Sequence, residues 1–308
     1  MNFKQLSAFR EVMLTGSVSK AAHNLHRTQP AVSSLIASLE EDIGFKLFSR
    51  MGGRLHPVPE AYYLLEEAAE ILDRLDTSKR TMKSIRDLKR GVIRVVSMPG
   101  PSVFLLPDLI GRFVTGRDDV RVSLITRSSF QVQQLVSVQQ YDVGLADLGL
   151  DAAAESPLVD HDVMRFECLC ALRADDPIAK KKTVTAGDLD GKPMATLYTD
   201  HSTFTQTKRA FDEMGARFNM RFEAQYFIPL FTFVEQGLAY SIVDPLSAES
   251  YRIYRSSNGC LVFRPFLPAV YLVSSIMTPS HRPPSNLARA FTTAMKNELL
   301  RIREESPV

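Results

Sequence analysis

The stretch from Pro59 to Lys89 has no internal proline or glycine, and it constrains the fold more than any other part of the chain. Proline opens helices well, and an unbroken helix of about 30 residues extends about 45 Å. Such a helix is long for one globular domain. We therefore expect it to separate an N-terminal unit from a larger C-terminal one, in line with the two or three units expected of 308 residues.

The composition is that of a soluble globular protein, with 45% hydrophobic and 23% charged residues. No apolar run approaches the roughly 18 residues of a membrane span, and residues 1–5 do not open a signal peptide, so we expect a cytoplasmic protein without membrane contact. Cys168, Cys170 and Cys260 are expected to be reduced core residues, because Cys168-Leu169-Cys170 lacks the spacing of a zinc or redox pair. A net charge of +2 requires any nucleic-acid surface to be local.

Three helices are predicted at the N-terminus. Apolar residues recur at three- and four-residue steps in a first helix that ends near Gly16. Ser17 is suited to cap a second helix, and the hydroxyl of Thr28 to cap a third, with Pro30 tolerated in its first turn. The third helix is expected to run to about Asp42. Two short helices joined by a tight turn form a helix-turn-helix.

The third helix has one apolar face and one face of small polar residues. The apolar face comprises Val32, Leu35, Ile36 and Leu39, and the other carries Gln29, Ser33, Ser34 and Ala37. A major groove about 12 Å wide accepts a helix whose leading surface bears short hydrogen-bonding groups. This face is therefore expected to contact DNA, with an ordinary solvated helix face as the alternative.

The cations of the first 60 residues gather near this turn and the segment that follows it, whereas the acidic residues lie mostly at the far end of the third helix. Residues 46–56 resemble two short strands around Gly52-Gly53, the wing of a winged helix. We therefore predict a DNA-binding domain over residues 1–58. Its candidate contacts to double-stranded DNA are Arg27, Thr28, Gln29, Pro30, Ser33, Ser34, Arg50 and Arg54.

These residues resemble the N-terminal signature of the LysR-type transcriptional regulators over about 60 residues. The matching motifs are Ser19-Lys20-Ala21-Ala22, Leu25, Thr28-Gln29-Pro30-Ala31-Val32-Ser33, Leu39-Glu40, Gly44 and Leu47-Phe48-Ser49-Arg50. The resemblance implies a two-fold operator, antiparallel pairing of the linker helix, and a homotetramer built as a dimer of dimers, with RNA polymerase as a further candidate partner. Val58-Pro59-Glu60-Ala61 departs from the family pattern, which leaves the start of the next helix open.

The predicted linker helix, residues 59–90, carries a regular apolar seam. The seam residues are Ala61, Leu65, Ala68, Leu72 and Leu75. Their alternating steps of four and three give the 3.5-residue period of a coiled coil. We favour a homodimer through this seam, because two-fold DNA sites require two recognition helices at a fixed separation. The alternative is a helix that packs on its own domain.

Residues 91–308 alternate strands and helices, which predicts an α/β fold with a mostly parallel sheet and helices on both faces. The order of elements resembles the two-lobed type 2 periplasmic-binding-protein fold that LysR-type regulators use as their effector domain. The resemblance implies lobe I at about 91–162 and 268–308, and lobe II at about 163–267.

Ligands of open α/β sheets lie beyond the carboxyl ends of the strands, so the loops at those ends define candidate effector contacts. These are Ser97, Gly100, Ser102, Ser128, Ser129, Asp147, Thr199, His201 and Ser202. Hydroxyls on one side and Asp147 opposite suit a small molecule with both anionic and cationic groups. The alternative is that Ser102 and Ser202 only cap helices and Asp147 only forms a turn.

Three further segments, 97–107, 141–147 and 237–245, resemble the family branch that senses amino acids and opines such as octopine and nopaline. The resemblance implies an amino-acid-like effector at the matching positions. These positions are Ser97, Ser102, Ser128, Ser129 and Asp147.

No catalytic signature accompanies these features. Tyr198, Asp200, His201 and Ser202 include the residue types of a hydrolase triad, but the sequence has no nucleophile elbow, phosphate loop or zinc-protease motif. The histidines are scattered, so we expect no enzyme activity, metal or cofactor. A ligand-responsive transcription factor is the leading hypothesis. The alternatives are a small-molecule-binding protein whose N-terminal helices serve assembly, and an architectural DNA binder.

Overall fold

The computed structural model describes residues 1–51, 54–149, 156–255 and 259–305. The chain divides into two compact units, unit 1 from Met1 to Asp87 and unit 2 from Leu88 to Val308. Gly52 and Gly53 of the predicted wing, and the side chains of Arg50 and Arg54, lie outside the described residues.

Unit 1 contains the predicted helices and hairpin. Its elements are α1 (Phe3–Thr15), α2 (Val18–Asn24), α3 (Gln29–Ile43), β1 (Phe48–Met51), β2 (Arg54–Pro57) and α4 (Pro59–Arg86). The two strands pair antiparallel, with Ser49 opposite His56. The prediction of two strands in this segment is therefore confirmed.

The helix ends of unit 1 follow from local chemistry, with one exception. Gly16 ends α1 in the left-handed conformation at φ 62°, and the Ser17 hydroxyl accepts a hydrogen bond from the Lys20 amide to open α2. Thr28 is the N-cap of α3, but its hydroxyl makes no capping hydrogen bond, so that prediction was wrong. Pro30, the second residue of α3, has no N–H, so only the Ala31 amide was left as a possible donor to this hydroxyl.

The apolar core of unit 1 orients α3. Phe9 of α1 and Val32 and Leu39 of α3 are fully buried in one cluster. The buried Gln5 reinforces this packing, because its side-chain amide donates to Ser38 Oγ at 3.0 Å. The rotation of α3 about its axis is therefore set by contacts with α1.

Four of the five seam residues of α4 pack inside their own unit. Ala61, Ala68 and Leu72 are buried in the cluster that contains Phe9, and Leu65 packs against it. The assignment of this seam to a coiled coil was therefore wrong. A stripe of apolar residues at this spacing fits any neighbouring apolar helix, and α1 of the same chain supplies one.

Unit 2 contains eleven strands and seven α-helices within the described residues. The strands are β3 (Arg90–Ser97), β4 (Asp119–Thr126), β5 (Val143–Asp147), β6 (Val159–Glu167), β7 (Leu169–Arg173), β8 (Val184–Thr185), β9 (Pro193–Leu197), β10 (Asn219–Ala224), β11 (Ser241–Val243), β12 (Leu261–Leu267) and β13 (Tyr271–Pro279). The helices are α5 (Pro99–Val103), α6 (Leu105–Val114), α7 (Ser129–Ser137), α8 (Ser202–Glu213), α9 (Phe227–Glu235), α10 (Pro245–Arg255) and α11 (Asn286–Glu305).

The strands of unit 2 form two lobes with mixed sheets. The first sheet has the order β4-β3-β5-β13-β6, in which β3 to β5 are parallel and β13 is antiparallel to both neighbours. The second sheet has the order β11-β7-β12-β8, and β9 pairs parallel with β10 beside it. The α/β class is confirmed, but parallel pairing is limited to β3 to β5, β9 with β10, and β8 with β12, so both larger sheets are mixed. The chain crosses between the lobes at β6–β7 and returns at β12–β13, and the returning strand β13 runs antiparallel to β5 and β6.

The elements of unit 2 that were not predicted include strand β6 and helix α10. Strand β6 begins with the polar run Asp160-His161-Asp162, which breaks the alternation of apolar and polar residues, so its first half resembles a loop in sequence. Helix α10 is rich in serine, tyrosine and arginine, yet its Ser247 and Ser250 are fully buried. Both elements are stabilised by tertiary contacts rather than by strong local patterns.

Glu40 holds the start of the wing in unit 1, and its substitution tests this role. Its buried carboxylate accepts hydrogen bonds from the Leu47 and Phe48 amides at 2.9 and 3.3 Å and pairs with Lys46 at 2.8 Å. Glu40→Ala should lower the free energy of unfolding of unit 1 by about 1–3 kcal/mol, because two amides lose their acceptor. Hydrogen exchange at the amides of unit 1 measures the stability of this unit separately from that of unit 2. The neighbouring exposed Glu41→Ala is the control, expected within about 0.5 kcal/mol of the parent. If the two substitutions lowered the free energy of unfolding equally, Glu40 would not be the residue that holds the start of the wing.

Candidate functional site

The polar face of α3 is presented to solvent. Gln29, Ser33 and Ser34 are exposed, and Arg27, Thr28 and Pro30 at the start of the helix are exposed as well. Within the described part of the chain, the side chains of Gln29, Ser33 and Ser34 make no hydrogen bond that would hold them against the protein. The sequence-predicted DNA contacts of α3 therefore share one accessible surface.

A cavity of about 480 Å³ lies in unit 2 where the strands of both lobes end. Lobe I lines it with residues 98–101, 128–130 and 147–149, and lobe II with residues 200–203 and 225–227. These segments follow the carboxyl ends of parallel strands, the position at which open α/β sheets bind ligands. The volume falls within the range of small-molecule sites.

Six of the nine predicted effector residues line this cavity. They are Gly100, Ser128, Ser129, Asp147, His201 and Ser202. The other three, Ser97, Ser102 and Thr199, do not line it. Ser97 is buried and its hydroxyl donates to the Met98 carbonyl.

Ser102 and Thr199 are excluded from the cavity for different reasons. The Ser102 hydroxyl donates to the Pro99 carbonyl at 2.7 Å and lies 2.9 Å from Thr126 Oγ1, so it stabilises the turn of α5. Thr199 is exposed on the loop before α8 and lies outside the lining. Position after a strand therefore predicted the correct loops, but not which side chains turn inward.

Asp147 is the polar centre of the cavity. Its side chain is 10% exposed, and Oδ2 accepts a hydrogen bond from the Ser202 hydroxyl of the opposite lobe at 3.3 Å. Oδ1 accepts the Gly149 amide at 2.8 Å, while the Asp147 amide donates to Ser129 Oγ at 3.1 Å. Asp147 therefore both forms a turn and faces the cleft, so the two interpretations of this residue are not exclusive.

His201 lies beside this carboxylate. Its Nδ1 accepts the Thr203 amide at 3.2 Å at the start of α8, so the neutral ring carries its proton on Nε2. That nitrogen is 4.0 Å from Asp147 Oδ2. The ring therefore offers a donor towards Asp147 and the cavity.

Helix α10, which was not predicted from the sequence, closes one side of the cavity. The buried Asp244 accepts the Ser247 amide and hydroxyl at 2.8 and 2.6 Å, and burial raises the pKa of Asp244 above its usual value. The Ser250 hydroxyl donates to the Gly100 carbonyl at 2.9 Å. Asp244 and Ser247 were missed because α10 was not predicted, although Asp-Pro followed by Ser at this spacing is typical of a helix start.

Aromatic side chains complete the lining. Phe130 from lobe I and Tyr226 and Phe227 from lobe II border the cavity, and none of them was predicted. The rule that identified the other loops would also have indicated residues 225–227, because they follow directly after strand β10.

Two of the three cysteines are buried and the third is exposed. Cys168 and Cys170 are buried, and burial raises the pKa of both thiols. Cys260 is exposed, so the prediction that it lies in the core was wrong.

Across the residues that the structure describes, no group of three or more His, Cys, Asp or Glu side chains is placed to hold a metal ion. In the same residues, no helix combines the length and apolar character needed to cross a bilayer.

Comparison with known proteins places both units in one family. Residues 3–61 match the family described as bacterial regulatory helix-turn-helix protein, lysR family, and residues 86–300 match the LysR substrate binding domain. The chain is 34% identical over 296 residues to the regulatory protein NocR of Agrobacterium tumefaciens, covering 96% of each chain. It is 31% identical to the transcriptional activator protein LysR of Escherichia coli, covering 95% of this chain and 91% of the relative.

The fold is similar to solved structures of the same family. The crystal structure of CbnR, a LysR family transcriptional regulator, superposes with a TM-score of 0.72 at 20% identity, covering 96% of this chain and 99% of CbnR. Full-length CbnR complexed with its target DNA gives a TM-score of 0.70 at 20% identity, covering 97% of this chain and 99% of CbnR.

Gly100 tests the packing that shapes the cavity. A Cβ atom at this position would lie 2.1 Å from Ser247 Oγ, so Gly100→Ala should either break the hydrogen bond from Ser247 to Asp244 or push α5 away from α10, and lower the free energy of unfolding by roughly 1–3 kcal/mol. Gly111→Ala is the matched control, because it lies in α6 with no atom within 4 Å of the added Cβ. It should be neutral or stabilising by up to about 1 kcal/mol. Thermal unfolding of the full chain measures both, and an unchanged midpoint for Gly100→Ala would refute the close approach.

Proposed function

The chain belongs to the LysR family of bacterial transcriptional regulators, and on this premise we propose that α3 reads duplex DNA while the cavity of unit 2 binds an amino-acid-like effector. The protein is a ligand-responsive regulator and not an enzyme. The observation that carries the DNA assignment is the exposed polar face of α3. The family match of residues 3–61 favours DNA binding over a role of these helices in assembly alone.

The residues of unit 1 divide by the part of DNA they would contact. Gln29, Ser33 and Ser34 carry short hydrogen-bonding groups suited to base edges. Arg27 and the wing residues Arg50 and Arg54 suit phosphates, which position a protein without specifying sequence. Thr28 and Pro30 would position the first turn of α3 against the DNA. Action on chromosomal DNA supports a cytoplasmic location, and RNA polymerase is a further proposed partner.

The charge pattern of α4 supports antiparallel self-association. Its first half, residues 59–73, carries five acidic residues and no Lys or Arg. Its second half, residues 74–86, carries five Lys or Arg residues and one Asp. Antiparallel pairing of two copies brings unlike charges together, whereas parallel pairing opposes like charges. We therefore retain the dimer through residues 59–90 but assign it to the outward face of α4, and propose a homotetramer of such dimers.

The effector assignment rests on the cavity between the two lobes of residues 91–308. Its hydroxyls, its carboxylate at Asp147 and its apolar lining suit a small zwitterionic molecule. A further relative, the octopine catabolism/uptake operon regulatory protein OccR of Rhizobium meliloti, is 34% identical over 147 residues, 48% of this chain and 49% of OccR. These similarities support an amino-acid-like or opine-like effector held by Gly100, Ser128, Ser129, Asp147, His201 and Ser202.

The DNA assignment predicts two kinds of variant. Ser33→Ala and Gln29→Ala should each weaken binding to the cognate site by about 1–3 kcal/mol relative to scrambled DNA, because a base contact is lost. Arg50→Ala should weaken binding to every DNA sequence. It should also reduce, by about 1, the slope of the logarithm of the binding constant against the logarithm of the salt concentration. Footprinting upstream of adjacent genes locates the site, and gel-shift titrations across salt measure the affinities.

The control for this experiment is Ser137→Ala on α7 of unit 2, a serine whose hydroxyl donates to the Gln134 carbonyl. It should leave both affinities unchanged. If Ser33→Ala and Gln29→Ala bound cognate and scrambled DNA with the same ratio as the parent protein, the assignment of α3 to base readout would be wrong.

The dimer assignment predicts a rescue by charge exchange. Glu66→Lys, Glu67→Lys and Glu70→Lys together should weaken self-association by roughly tenfold, since each exposed pair contributes about 0.2–1 kcal/mol. Adding Lys79→Glu, Arg80→Glu and Lys83→Glu should restore it. Sedimentation velocity at low and high salt measures the association. Failure of the second set to rescue the first would argue against antiparallel pairing.

A further inference from the structure

The described lining of the cavity in unit 2 is acidic. It contains the carboxylates of Asp147, Asp200 and Asp244, and its one basic side chain is His201. No Lys or Arg side chain occurs among the described lining residues. A ligand with excess negative charge would therefore meet carboxylates without a permanent positive charge to balance its own.

The three carboxylates are not equivalent. Both oxygens of Asp244 accept from Ser247, so this residue is occupied as the cap of α10. Asp147 is nearly buried, and its hydrogen-bond donors, the Gly149 amide and the Ser202 hydroxyl, are neutral. A buried carboxylate is costly unless a cation pairs with it, and a cationic ligand would supply that charge.

Asp200 adds an available carboxylate from the other lobe. It is exposed, it lines the cavity, and among the described residues no ion pair or side-chain hydrogen bond engages it. Asp147 on lobe I and Asp200 on lobe II thus present charge to the same space. A ligand cation between them would favour the arrangement in which both lobes contact it.

The rest of the lining suits the other parts of such a ligand. The Ser129 hydroxyl accepts the Asp147 amide, which leaves its own proton to donate to a ligand carboxylate. The aromatic rings of Phe130, Tyr226 and Phe227 offer apolar surface for an alkyl chain and faces for a guanidinium group. The neutral donors can thus recognise a carboxylate, while the carboxylates recognise a cation.

We propose that the effector is a cationic amino acid, with a side-chain ammonium or guanidinium group that Asp147 and Asp200 select by charge. This inference rests on the proposed amino-acid-sensing function and narrows it. The proposal predicts that neutral and acidic amino acids of the same size bind more weakly than the effector.

Isosteric ligand pairs test the selection by charge. Calorimetry on the full chain compares L-lysine with L-norleucine and L-arginine with L-citrulline, with L-glutamate as the acidic member. In at least one pair the cationic member should bind about tenfold more tightly or better, equivalent to about 1.4 kcal/mol. Glutamate should bind more weakly than either neutral ligand. Cadaverine, which lacks a carboxylate, should bind more weakly than lysine.

Variants assign the effect to the two carboxylates. Asp200→Asn should reduce the ratio of cationic to neutral affinity to below about threefold while leaving the affinity for the neutral member within about twofold. Asp147→Asn should reduce the same ratio. Asp212→Asn is the control, because Asp212 is an exposed residue of α8, the helix that follows Asp200, and lies outside the cavity lining, so it should leave the ratio unchanged. Thermal unfolding confirms that each variant is folded.

The outcomes separate this inference from the function on which it rests. If norleucine and citrulline bind as tightly as lysine and arginine, charge selection is refuted and amino-acid sensing stands. If the ratio survives both Asp147→Asn and Asp200→Asn, the assignment to these carboxylates is refuted. If none of the five amino acids binds at millimolar concentration, both the cationic class and the amino-acid effector are refuted.

Discussion

The packing of α1 against α3 is the constraint on which the DNA-facing surface depends. Burial of Phe9, Val32 and Leu39 in one cluster sets the rotation of α3, and everything on the opposite side of that helix is then presented outward. The short polar side chains there need no special conformation to be accessible. A buried apolar face, rather than any property of the polar face, determines what α3 can contact.

In unit 2 the corresponding constraint is the meeting of strand ends from two lobes. The Ser202 hydroxyl reaches Asp147 across 55 positions of sequence, and the Ser250 hydroxyl reaches the Gly100 carbonyl across 150. These bonds join loops that have no local relation to each other. The cavity between them combines a nearly buried carboxylate with neutral donors and aromatic surface, and this combination accounts for the proposed preference for a cationic effector.

Particular residues show where sequence reasoning succeeded and where it failed. Gly16 and Ser17 act as predicted, because a left-handed glycine and a capping hydroxyl depend only on nearby backbone atoms. The seam of α4 was assigned to the wrong partner, because its spacing does not distinguish α1 of the same chain from a second copy. Ser97 at the end of β3 and Ser102 in α5 lie in the right segment, but their hydroxyls donate to nearby backbone carbonyls instead of facing the cavity.

The sequence by itself determined the type and order of most elements, the boundary near the long helix, and the loops that surround the cavity. Helix and strand periods are properties of the backbone, so a local pattern is sufficient to predict them. Tertiary structure alone decided which apolar stripe meets which neighbour, how β6 and α10 form, and which side chains face the cavity. Those outcomes depend on contacts between residues far apart in the chain, and no local pattern encodes them.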